Sequence, residues 1–360
     1  MWVPAIRTGR RATPVQFATM RVPMQKIGVF VLAATALVAC AGAGAGAGGP
    51  GPSSPPAAGR RAEASAGLRC APSAPTGAAL EVMVLGSGGP VPGRRASASH
   101  VVLVDGVPRV LVDVGSGATV RIGEAALSTD AIDIVLLTHL HVDHAGDLPG
   151  FVKARDLSHD GPLSFFIAGP EGRGDYPPTH LLVERVLGPQ GAFAYLAGFR
   201  NALDIDGRDL AVSGKGLLEV LDRPGLRITA VATHHGEAPA VAYRIEHAGH
   251  AVVFGGDTTL TGDGVATLAK GADLFVANAT VLDPPGAPPA LYELHAPPAR
   301  IGQVAGDAHV GAVILAHLTP SVVEHESEVL RSVKRAYGGP VALATDCLRV
   351  RADGLRADAR

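Results

Sequence analysis

The sequence predicts an α/β fold in which two β-rich halves are covered by helices. From Leu80 onward, short valine-rich apolar runs alternate with glycine-containing turns, and helix-like segments lie between several of the later runs. The size agrees, because 360 residues with 47% apolar and 18% charged side chains can bury a large core. Residues 79–360 are the predicted folded part, as one large domain or as two fused halves.

The elements are predicted in chain order from their periodicity. The runs LEVMVLG, HVVLVDG and RVLVDVG indicate consecutive strands, and DLPGFVKARDL, which follows AIDIVLLTH, has helical spacing. Further strand-like runs are PLSFFIAGP, LRITAVATHH, AVAYRIEH, AVVFGGDT, DLFVANAT and GAVILAH. Helix-like segments cover residues 178–187, 262–270, 297–308 and 321–337. The Gly- and Pro-rich segment 169–225 is predicted to be a cap or substrate-contacting insertion, with an ordinary surface loop as the alternative.

Residues 1–39 are predicted to be a signal peptide of the lipoprotein type. Lys26 precedes thirteen apolar or small residues, IGVFVLAATALVA, which is shorter than a membrane span of roughly 20 residues. With Cys40, the end of this run reads LVAC, which resembles a bacterial lipobox and implies lipidation of Cys40 and a membrane-anchored, exported protein. An ordinary secretory signal and an uncleaved anchor are the alternatives, and Met20 or Met24 are alternative start positions.

Residues 40–78 are predicted to be a disordered Gly/Ala/Pro tether, because they contain almost no bulky apolar side chains. The leader holds five of the 31 Lys and Arg residues and none of the 33 Asp and Glu residues. The exported part is therefore about seven charges negative, which disfavours general nucleic-acid binding. With Cys40 lipidated, Cys70 and Cys347 either pair in an oxidising compartment or remain free thiols.

The stretch LLTHLHVDHAGDLPG, residues 136–150, predicts a metal site. It places His139, His141, Asp143 and His144 directly after an apolar run, and imidazole nitrogens and carboxylate oxygens are ligands that zinc, iron and manganese accept. Holding so many polar rings near a core costs energy unless something binds them. Further candidates follow other strand-like runs: His234, His235, Asp257 and His317.

Together these motifs resemble the metallo-β-lactamase fold superfamily, in its ribonuclease Z and arylsulfatase-type phosphodiesterase branch. The resemblance covers roughly residues 80–350, from VLGSGGPVPGRRASASHVVLVDG and THLHVDHAGDLPG to ELHAPPARIGQVAGDAHVGAVILAHLTP. It implies an αββα sandwich of two mixed sheets packed face to face, with helices outside. It also implies two divalent metal ions, with zinc favoured over iron or manganese.

The ligand set is carried over position by position from this resemblance. The first metal takes His139, His141 and His235, with His234 as the alternative; the second takes Asp143, His144 and His317; Asp257 bridges both. His235 is favoured because the branch's HGxxPAxAYR spacing matches HGEAPAVAYR, residues 235–244.

Three further residue assignments come from the same resemblance. His295 corresponds to the catalytic histidine that protonates the leaving oxygen, or it is a histidine without a task at a helix start. Asp113 orients a ligand histidine or stabilises a turn. Arg94 and Arg95 either meet an anionic substrate or form a solvated basic turn.

The implied function is an exported dinuclear hydrolase that cleaves a phosphodiester or sulfate ester with a metal-bridging hydroxide held by Asp143. The expected substrate is a small ester, and the only membrane contact is the lipid anchor. The alternatives are a ribonuclease Z-like endonuclease, a β-lactamase or lactonase, and a non-catalytic tethered metal-binding module. The branch often forms homodimers, although no feature of the sequence identifies an interface.

Overall fold

A computed structural model describes residue 70, residues 76–214 and residues 216–352 of this protein. The predicted signal peptide and Cys40 lie outside these residues, as does most of the predicted tether. Within the described residues, strand β1 begins at Leu80, which places the start of regular structure close to the predicted domain boundary. None of the helices in these ranges is long and apolar enough to cross a membrane.

Fourteen strands and nine α-helices make up the described part of the chain. The strands are β1 (Leu80–Gly86), β2 (Ser99–Val104), β3 (Val107–Val114), β4 (Ile134–Leu136), β5 (Leu163–Pro170), β6 (Leu203–Leu210), β7 (Leu218–Arg223), β8 (Leu226–His235), β9 (Ala238–His247), β10 (His250–Phe254), β11 (Leu274–Asn278), β12 (Ala312–Ala316), β13 (Val341–Leu343) and β14 (Arg349–Arg351). The helices are α1 (Ala118–Glu124), α2 (Val142–Ala145), α3 (Leu148–Ser158), α4 (Thr179–Leu187), α5 (Gly264–Ala269), α6 (Pro289–Tyr292), α7 (Pro298–Asp307), α8 (Pro320–Glu324) and α9 (Glu326–Lys334), with a 3₁₀ helix at Ala194–Gly198.

The strands form two seven-stranded mixed sheets. The first has the order β14, β1, β2, β3, β4, β5, β6, and the second has the order β13, β12, β11, β10, β9, β8, β7. In the first sheet β3 to β6 are parallel, and in the second β10 to β13 are parallel, while the remaining pairs are antiparallel. The carboxyl ends of the parallel strands in each sheet therefore lie at one edge, where ligand sites of α/β folds form.

The burial of β1 shows why its run is apolar throughout rather than alternating. Leu80, Val82 and Val84 lie in the core between the sheets, and Met83 and Leu85 lie in a second core beneath the helices. Successive side chains of a strand face opposite sides, so a strand covered on both sides needs apolar residues at every position.

Helices cover the outer face of each sheet. Ile122 of α1, Phe151 of α3 and Val183 of α4 are part of the core outside the first sheet, and Leu268 of α5 and Ile301 of α7 are part of the core outside the second. The layers are therefore helix, sheet, sheet, helix. The predicted αββα sandwich is confirmed.

The segment 169–225 is not a plain loop. It contains the end of β5, α4, the 3₁₀ helix and the strands β6 and β7, which form one edge of each sheet. The sequence did not indicate these two strands, because an edge strand is half exposed and LDIDGRDL alternates apolar with charged residues. The helix predicted over 321–337 is divided into α8 and α9 at His325, whose φ of −107° and ψ of 27° are not helical.

Candidate metal centre

The loop after β4 brings the first predicted ligands to the edge of the first sheet. His139 and His141 lie in this loop, and Asp143 and His144 follow in α2. His139, Asp143 and His144 are buried, and His141 is half-buried. The motif thus folds as a strand, a short loop and one helical turn, which places its four side chains close together.

Strand β9 of the second sheet holds this loop. The Tyr243 hydroxyl donates a hydrogen bond to the carbonyl oxygen of Leu137 at 2.9 Å, and the Val241 amide donates to the carbonyl oxygen of Thr138 at 2.9 Å. Burial raises the pKa of the Tyr243 phenol well above its ordinary value, so the hydroxyl keeps its proton. Gly256, with φ of 62°, allows the close approach, since a Cβ there would lie 2.7 Å from Thr138 Cβ.

The second half of the chain supplies three more predicted ligands at the facing edge. His235 is the last residue of β8, Asp257 follows β10, and His317 follows β12; all three are buried. His234 is exposed and lies outside this group. Only one of two adjacent strand residues can face the first sheet, and the structure places His235 there.

The seven side chains converge in one cluster, called here the His–Asp cluster: His139, His141, Asp143, His144, His235, Asp257 and His317. Its first donor group has His141 Nδ1 at 3.0 Å from His139 Nε2 and at 3.4 Å from His235 Nε2. Its second donor group has Asp143 Oδ2 at 3.2 Å from His317 Nε2 and at 3.7 Å from His144 Nε2.

Asp257 lies between the two donor groups. Its Oδ1 accepts a hydrogen bond from the side-chain amide of Asn278 at 2.7 Å, which leaves Oδ2 directed at the histidines. The distances from Oδ2 are 3.9 Å to His139 Nε2, 3.8 Å to His235 Nε2, 3.6 Å to His144 Nε2 and 3.4 Å to His317 Nε2. One carboxylate oxygen therefore reaches both groups, as a bridging ligand must.

Each histidine of the cluster uses its second ring nitrogen for a contact outside the cluster. The pairs are His139 Nδ1 with Thr138 Oγ1 at 3.2 Å, His141 Nε2 with Tyr176 Oη at 3.3 Å, His144 Nδ1 with Asp113 Oδ2 at 2.8 Å, His235 Nδ1 with Leu294 O at 2.8 Å, and His317 Nδ1 with Thr280 Oγ1 at 2.9 Å. Such partners orient a ligand ring and select its tautomer, which is the arrangement found around metal-binding histidines.

The protonation of the cluster fits a cation site. Burial lowers the pKa of His139, His141 and His235, so these rings present unprotonated nitrogens. Burial alone would raise the pKa of Asp257, but the rings of His317 and His144 hold it well below its ordinary range. The first donor group therefore offers three neutral rings beside the ionised carboxylate of Asp257.

His144 gives the most direct indication of a cation. Although burial opposes it, the carboxylates of Asp113 and Asp257 raise the pKa of His144 well above its ordinary value. Its Nε2 is buried and lacks a hydrogen-bond partner among the described residues, facing the second donor group instead. The negative charge there requires a positive one, and a divalent cation held by Nε2 would supply it in place of a proton.

His295 lies at the side of the cluster, between α6 and α7. Its ring centroid is 5.3 Å from that of His235 and 5.8 Å from that of His317, and its Nδ1 is 3.9 Å from Asp257 Oδ2. That nitrogen has no hydrogen-bond partner within the described part of the chain. Burial lowers the pKa of His295 to about 4. The geometry allows His295 to act as a ligand or as the predicted proton carrier.

Asp113 lies where the resemblance implies an orienting carboxylate. It accepts hydrogen bonds from the Thr138 amide at 2.7 Å and the Thr138 hydroxyl at 2.9 Å, in addition to its 2.8 Å contact with His144 Nδ1. Its φ of 54° is unusual for a residue with a side chain, so the end of β3 is constrained to place this carboxylate.

Comparison with known proteins identifies the family. The family model described as a beta-lactamase superfamily domain matches residues 100–318, which is more than half of the chain. The chain belongs to the beta-lactamase superfamily. Its fold is the metallo-β-lactamase fold, and the family is one of metal-dependent hydrolases.

Individual relatives agree with this assignment. Ribonuclease Z of Mycolicibacterium paratuberculosis is 29% identical over 286 residues, which cover 76% of this chain and 99% of that protein. Among solved structures, the short form of human tRNase Z superposes with a TM-score of 0.59 at 21% identity, covering 75% of this chain and 98% of its own. Zn²⁺-bound PqqB from Methylobacterium extorquens superposes with a TM-score of 0.55 at 17% identity, covering 75% and 99%. These two likenesses show the fold.

Four residues whose side chains contact the His–Asp cluster were not predicted from the sequence: Thr138, Tyr176, Asn278 and Thr280. Asn278 ends a buried parallel strand in DLFVANAT and Thr280 follows it, so their position at the ligand edge was a usable signal. Thr138 precedes the first ligand histidine directly. Tyr176 lies 32 positions after His144 in a loop without periodicity, and only the folded chain brings it to His141.

The two arginines of the opening loop differ in environment. Arg95 donates hydrogen bonds to the Ser87 hydroxyl at 2.6 Å and the Ala344 carbonyl oxygen at 2.8 Å, so it links this loop to the C-terminal part of the domain. Arg94 is exposed. Beside the same loop a cavity of about 370 Å³ adjoins Asp143, with Val91 and Val142 in its walls.

The remaining histidines lie outside the His–Asp cluster. His100 is buried between the sheets, where its ring packs on Phe254 at a centroid distance of 5.3 Å. The others are at least partly exposed: His159, His180, His247, His250, His309 and His325.

Proposed function

We propose that this protein is a dinuclear metal-dependent phosphodiesterase that acts on a small ester outside the cytoplasm. The observation that supports this best is the division of the His–Asp cluster into two donor groups that share Asp257 Oδ2. A single-ion site would have no use for the second group. Zinc suits the nitrogen-rich donor set, and PqqB, which shares the fold, is a zinc-bound relative.

Bound divalent ions would lower the pKa of water and neutralise charge that develops on the scissile ester. Asp143 lines the cavity beside the cluster, so it lies where water and substrate would enter. Its Oδ2 contacts His317 Nε2, and the carboxylate remains able to accept a proton from an attacking water.

His295 would deliver a proton to the departing oxygen. At neutral pH its ring is unprotonated, because burial lowers its pKa to about 4. An anionic ester bound beside it would favour the protonated form by direct charge attraction. Asp143 would then take one proton from the entering water, and His295 would give a different proton to the leaving alcohol, so that the reaction needs no net proton.

The size of the cavity beside Asp143 supports a small substrate. About 370 Å³ holds a compact organic group, and Pro90, Val91, Pro92 and Val142 give it apolar walls. The acidic balance of the chain without its leader also disfavours a long polyanion. We therefore propose an aryl or small-alkyl phosphodiester as substrate, with a sulfate ester as the closest variant.

Metal analysis and turnover of the purified full-length protein test this proposal. We expect two equivalents of metal and hydrolysis of bis(p-nitrophenyl) phosphate, with an aryl sulfate, a lactam and a precursor tRNA assayed in parallel. Two equivalents without turnover of any substrate would favour a non-catalytic metal-binding module. Turnover of the lactam alone would indicate a lactamase or lactonase.

A ribonuclease Z-like activity is the second candidate, because 99% of a ribonuclease Z aligns with 76% of this chain. The precursor tRNA assay distinguishes it: cleavage at nanomolar enzyme, with bis(p-nitrophenyl) phosphate poorly hydrolysed, would reverse the order of the two candidates. Gel filtration of the same preparation tests whether the protein forms a homodimer, as members of the branch often do.

Export and lipidation are tested by mass analysis of the membrane fraction. We expect an N-terminus at an acylated Cys40, with Cys40→Ser as the control that abolishes acylation and anchoring. Protein that is found in the cytoplasm with an uncleaved leader would contradict the proposed export and favour the ribonuclease Z-like function.

A further inference from the structure

The loop between β5 and α4, residues 171–178, connects both sheets beside the His–Asp cluster. Its ends are held by the Glu171 amide, which donates to the Leu210 carbonyl oxygen at 2.8 Å, and by the Thr179 hydroxyl, which donates to the Pro170 carbonyl oxygen at 3.0 Å. Within the loop, Arg173 and Tyr176 exchange two backbone hydrogen bonds, at 3.1 Å and 3.0 Å.

The loop is too tightly closed to accept a larger residue at its start. A Cβ on Gly172 would lie 2.7 Å from the Pro178 ring and 2.9 Å from the Tyr176 carbonyl oxygen. Gly174, with φ of 58°, turns the chain back. Glycine at these two positions and proline at 177 and 178 therefore limit the conformations that the 171–178 loop can adopt.

Two side chains of the loop make contacts at or next to the first donor group. The Arg173 guanidinium donates to the carbonyl oxygens of Gly236 at 3.1 Å and Glu237 at 2.9 Å, directly after His235. The Tyr176 hydroxyl lies 3.3 Å from His141 Nε2, and the two ring centroids are 5.8 Å apart. The loop thus links a ligand of the first sheet to a ligand of the second.

The contact with Tyr176 determines which nitrogen of His141 is available. Nδ1 of His141 faces His139 Nε2 and His235 Nε2, so this nitrogen must be unprotonated for the group to hold a cation. In the neutral ring the proton then lies on Nε2, where the Tyr176 oxygen can accept it. His141 is also the least buried histidine of the cluster, so packing alone restrains its ring least.

We propose that Tyr176 is a positioning residue for the first donor group, and that Arg173 holds Tyr176 and the turn after His235 in place. The inference rests on the proposed dinuclear function and deepens it. Tyr176 acts through His141, by keeping its ring and tautomer in the orientation that directs Nδ1 at the shared centre.

The test is metal release from the loaded full-length protein in competition with a chromophoric chelator. Tyr176→Phe removes one oxygen. We expect this variant to bind one of the two metal ions about 10- to 100-fold more weakly and to bind the other with unchanged affinity. Arg173→Ala should weaken the binding of the same metal ion. With Co²⁺ in place of the native metal, the visible absorption of one site should change in Tyr176→Phe.

The matched control is Tyr195→Phe, which removes an exposed phenol oxygen on the 3₁₀ helix, next to Lys153. It should release both equivalents as the wild type does. Wild-type release from Tyr176→Phe, with a change confined to the KM of the ester, would overturn the inference and assign Tyr176 to substrate contact. A wild-type protein that binds fewer than two equivalents would instead overturn the proposed function on which the inference rests.

Discussion

At the scale of single residues, the histidines of the cluster divide their two ring nitrogens between function and structure. One nitrogen faces the shared centre and the other contacts a neighbour, such as Asp113 for His144 or Leu294 for His235. His295 lies beside the cluster rather than in it, and its Nδ1 faces Asp257 without a hydrogen-bond partner among the described residues. A ring that is not held in this way is free to exchange a proton with a bound substrate.

We expect His295→Ala to lower kcat about 10²- to 10⁴-fold, the usual contribution of a positioned general acid. The loss should be larger for an alkyl phosphodiester than for bis(p-nitrophenyl) phosphate, because p-nitrophenolate leaves without being protonated. Steady-state rates with both esters and the metal content of the variant measure this. An equal loss with both esters, accompanied by lost metal, would show that His295 is a ligand instead.

His100 makes the stability depend on pH. Burial lowers its pKa to about 4, and the unfolded chain has an ordinary value near 6.5. Above about pH 6.5, His100 is neutral in both states and its full contribution to the free energy of unfolding is present. As the pH falls toward 4, this contribution is lost, because His100 binds a proton in the unfolded chain but not in the folded protein. At pH 5 the loss should reach about 2 kcal/mol.

We expect His100→Phe to remove that part of the acid sensitivity. Urea unfolding of the protein after metal removal by a chelator gives the free energy of unfolding at pH 7.5 and pH 5. Between these two pH values, the free energy of unfolding of the wild type should fall by about 2 kcal/mol more than that of the variant. Equal losses would show that the His100 ring is protonated in the folded protein.

At the scale of secondary-structure elements, the close packing of α7 against α9 depends on a glycine. A Cβ on Gly302 would lie 2.2 Å from the Val333 carbonyl oxygen, which is far inside contact distance. Gly123 in α1 has no atom within 4 Å of its Cβ position. Two glycines within helices therefore differ only in what surrounds them.

We expect Gly302→Ala to destabilise the protein by about 1 to 3 kcal/mol, because α7 and α9 must separate. Gly123→Ala is the control, and it should stabilise the protein by about 0.5 to 1 kcal/mol through better helix propensity. Thermal unfolding of both variants measures the difference. A shift of the same sign in both would contradict the packing argument.

Elements were predicted well where their residues are buried and poorly where they lie at an edge. The sequence runs that form β1, β8 and β12 are rich in apolar residues, because other parts of the protein cover one or both faces of each strand. The short α1 and the edge strands β6 and β7 have mixed patterns, because solvent accepts polar residues on them.

At the scale of the whole molecule, a disulfide joins the two ends of the described chain. Cys70 and Cys347 are bonded and lie 277 positions apart in the sequence. Of the two alternatives left by the sequence, pairing is the one found in the structure. Such a bond persists in an oxidising compartment, which agrees with the proposed export.

We expect loss of this disulfide to lower the free energy of unfolding by about 2 to 5 kcal/mol, because the unfolded chain gains freedom. Cys70→Ser, Cys347→Ser and the double variant should be equally destabilised, since each breaks the same bond. Urea unfolding under non-reducing conditions measures this. A double variant much less stable than either single one would show that the thiols have separate roles.

The sequence by itself determined the fold class and predicted a metal site at the His-x-His-x-Asp-His motif. Buried strands need continuous apolar runs, and a motif as dense as His-x-His-x-Asp-His has few uses besides metal binding. Only the tertiary structure decided which side chains meet: that His235 rather than His234 faces the cluster, and that Tyr176 contacts His141. These contacts join residues of different strands and loops, and the distance between such residues depends on how the two sheets pack, which local sequence patterns do not encode.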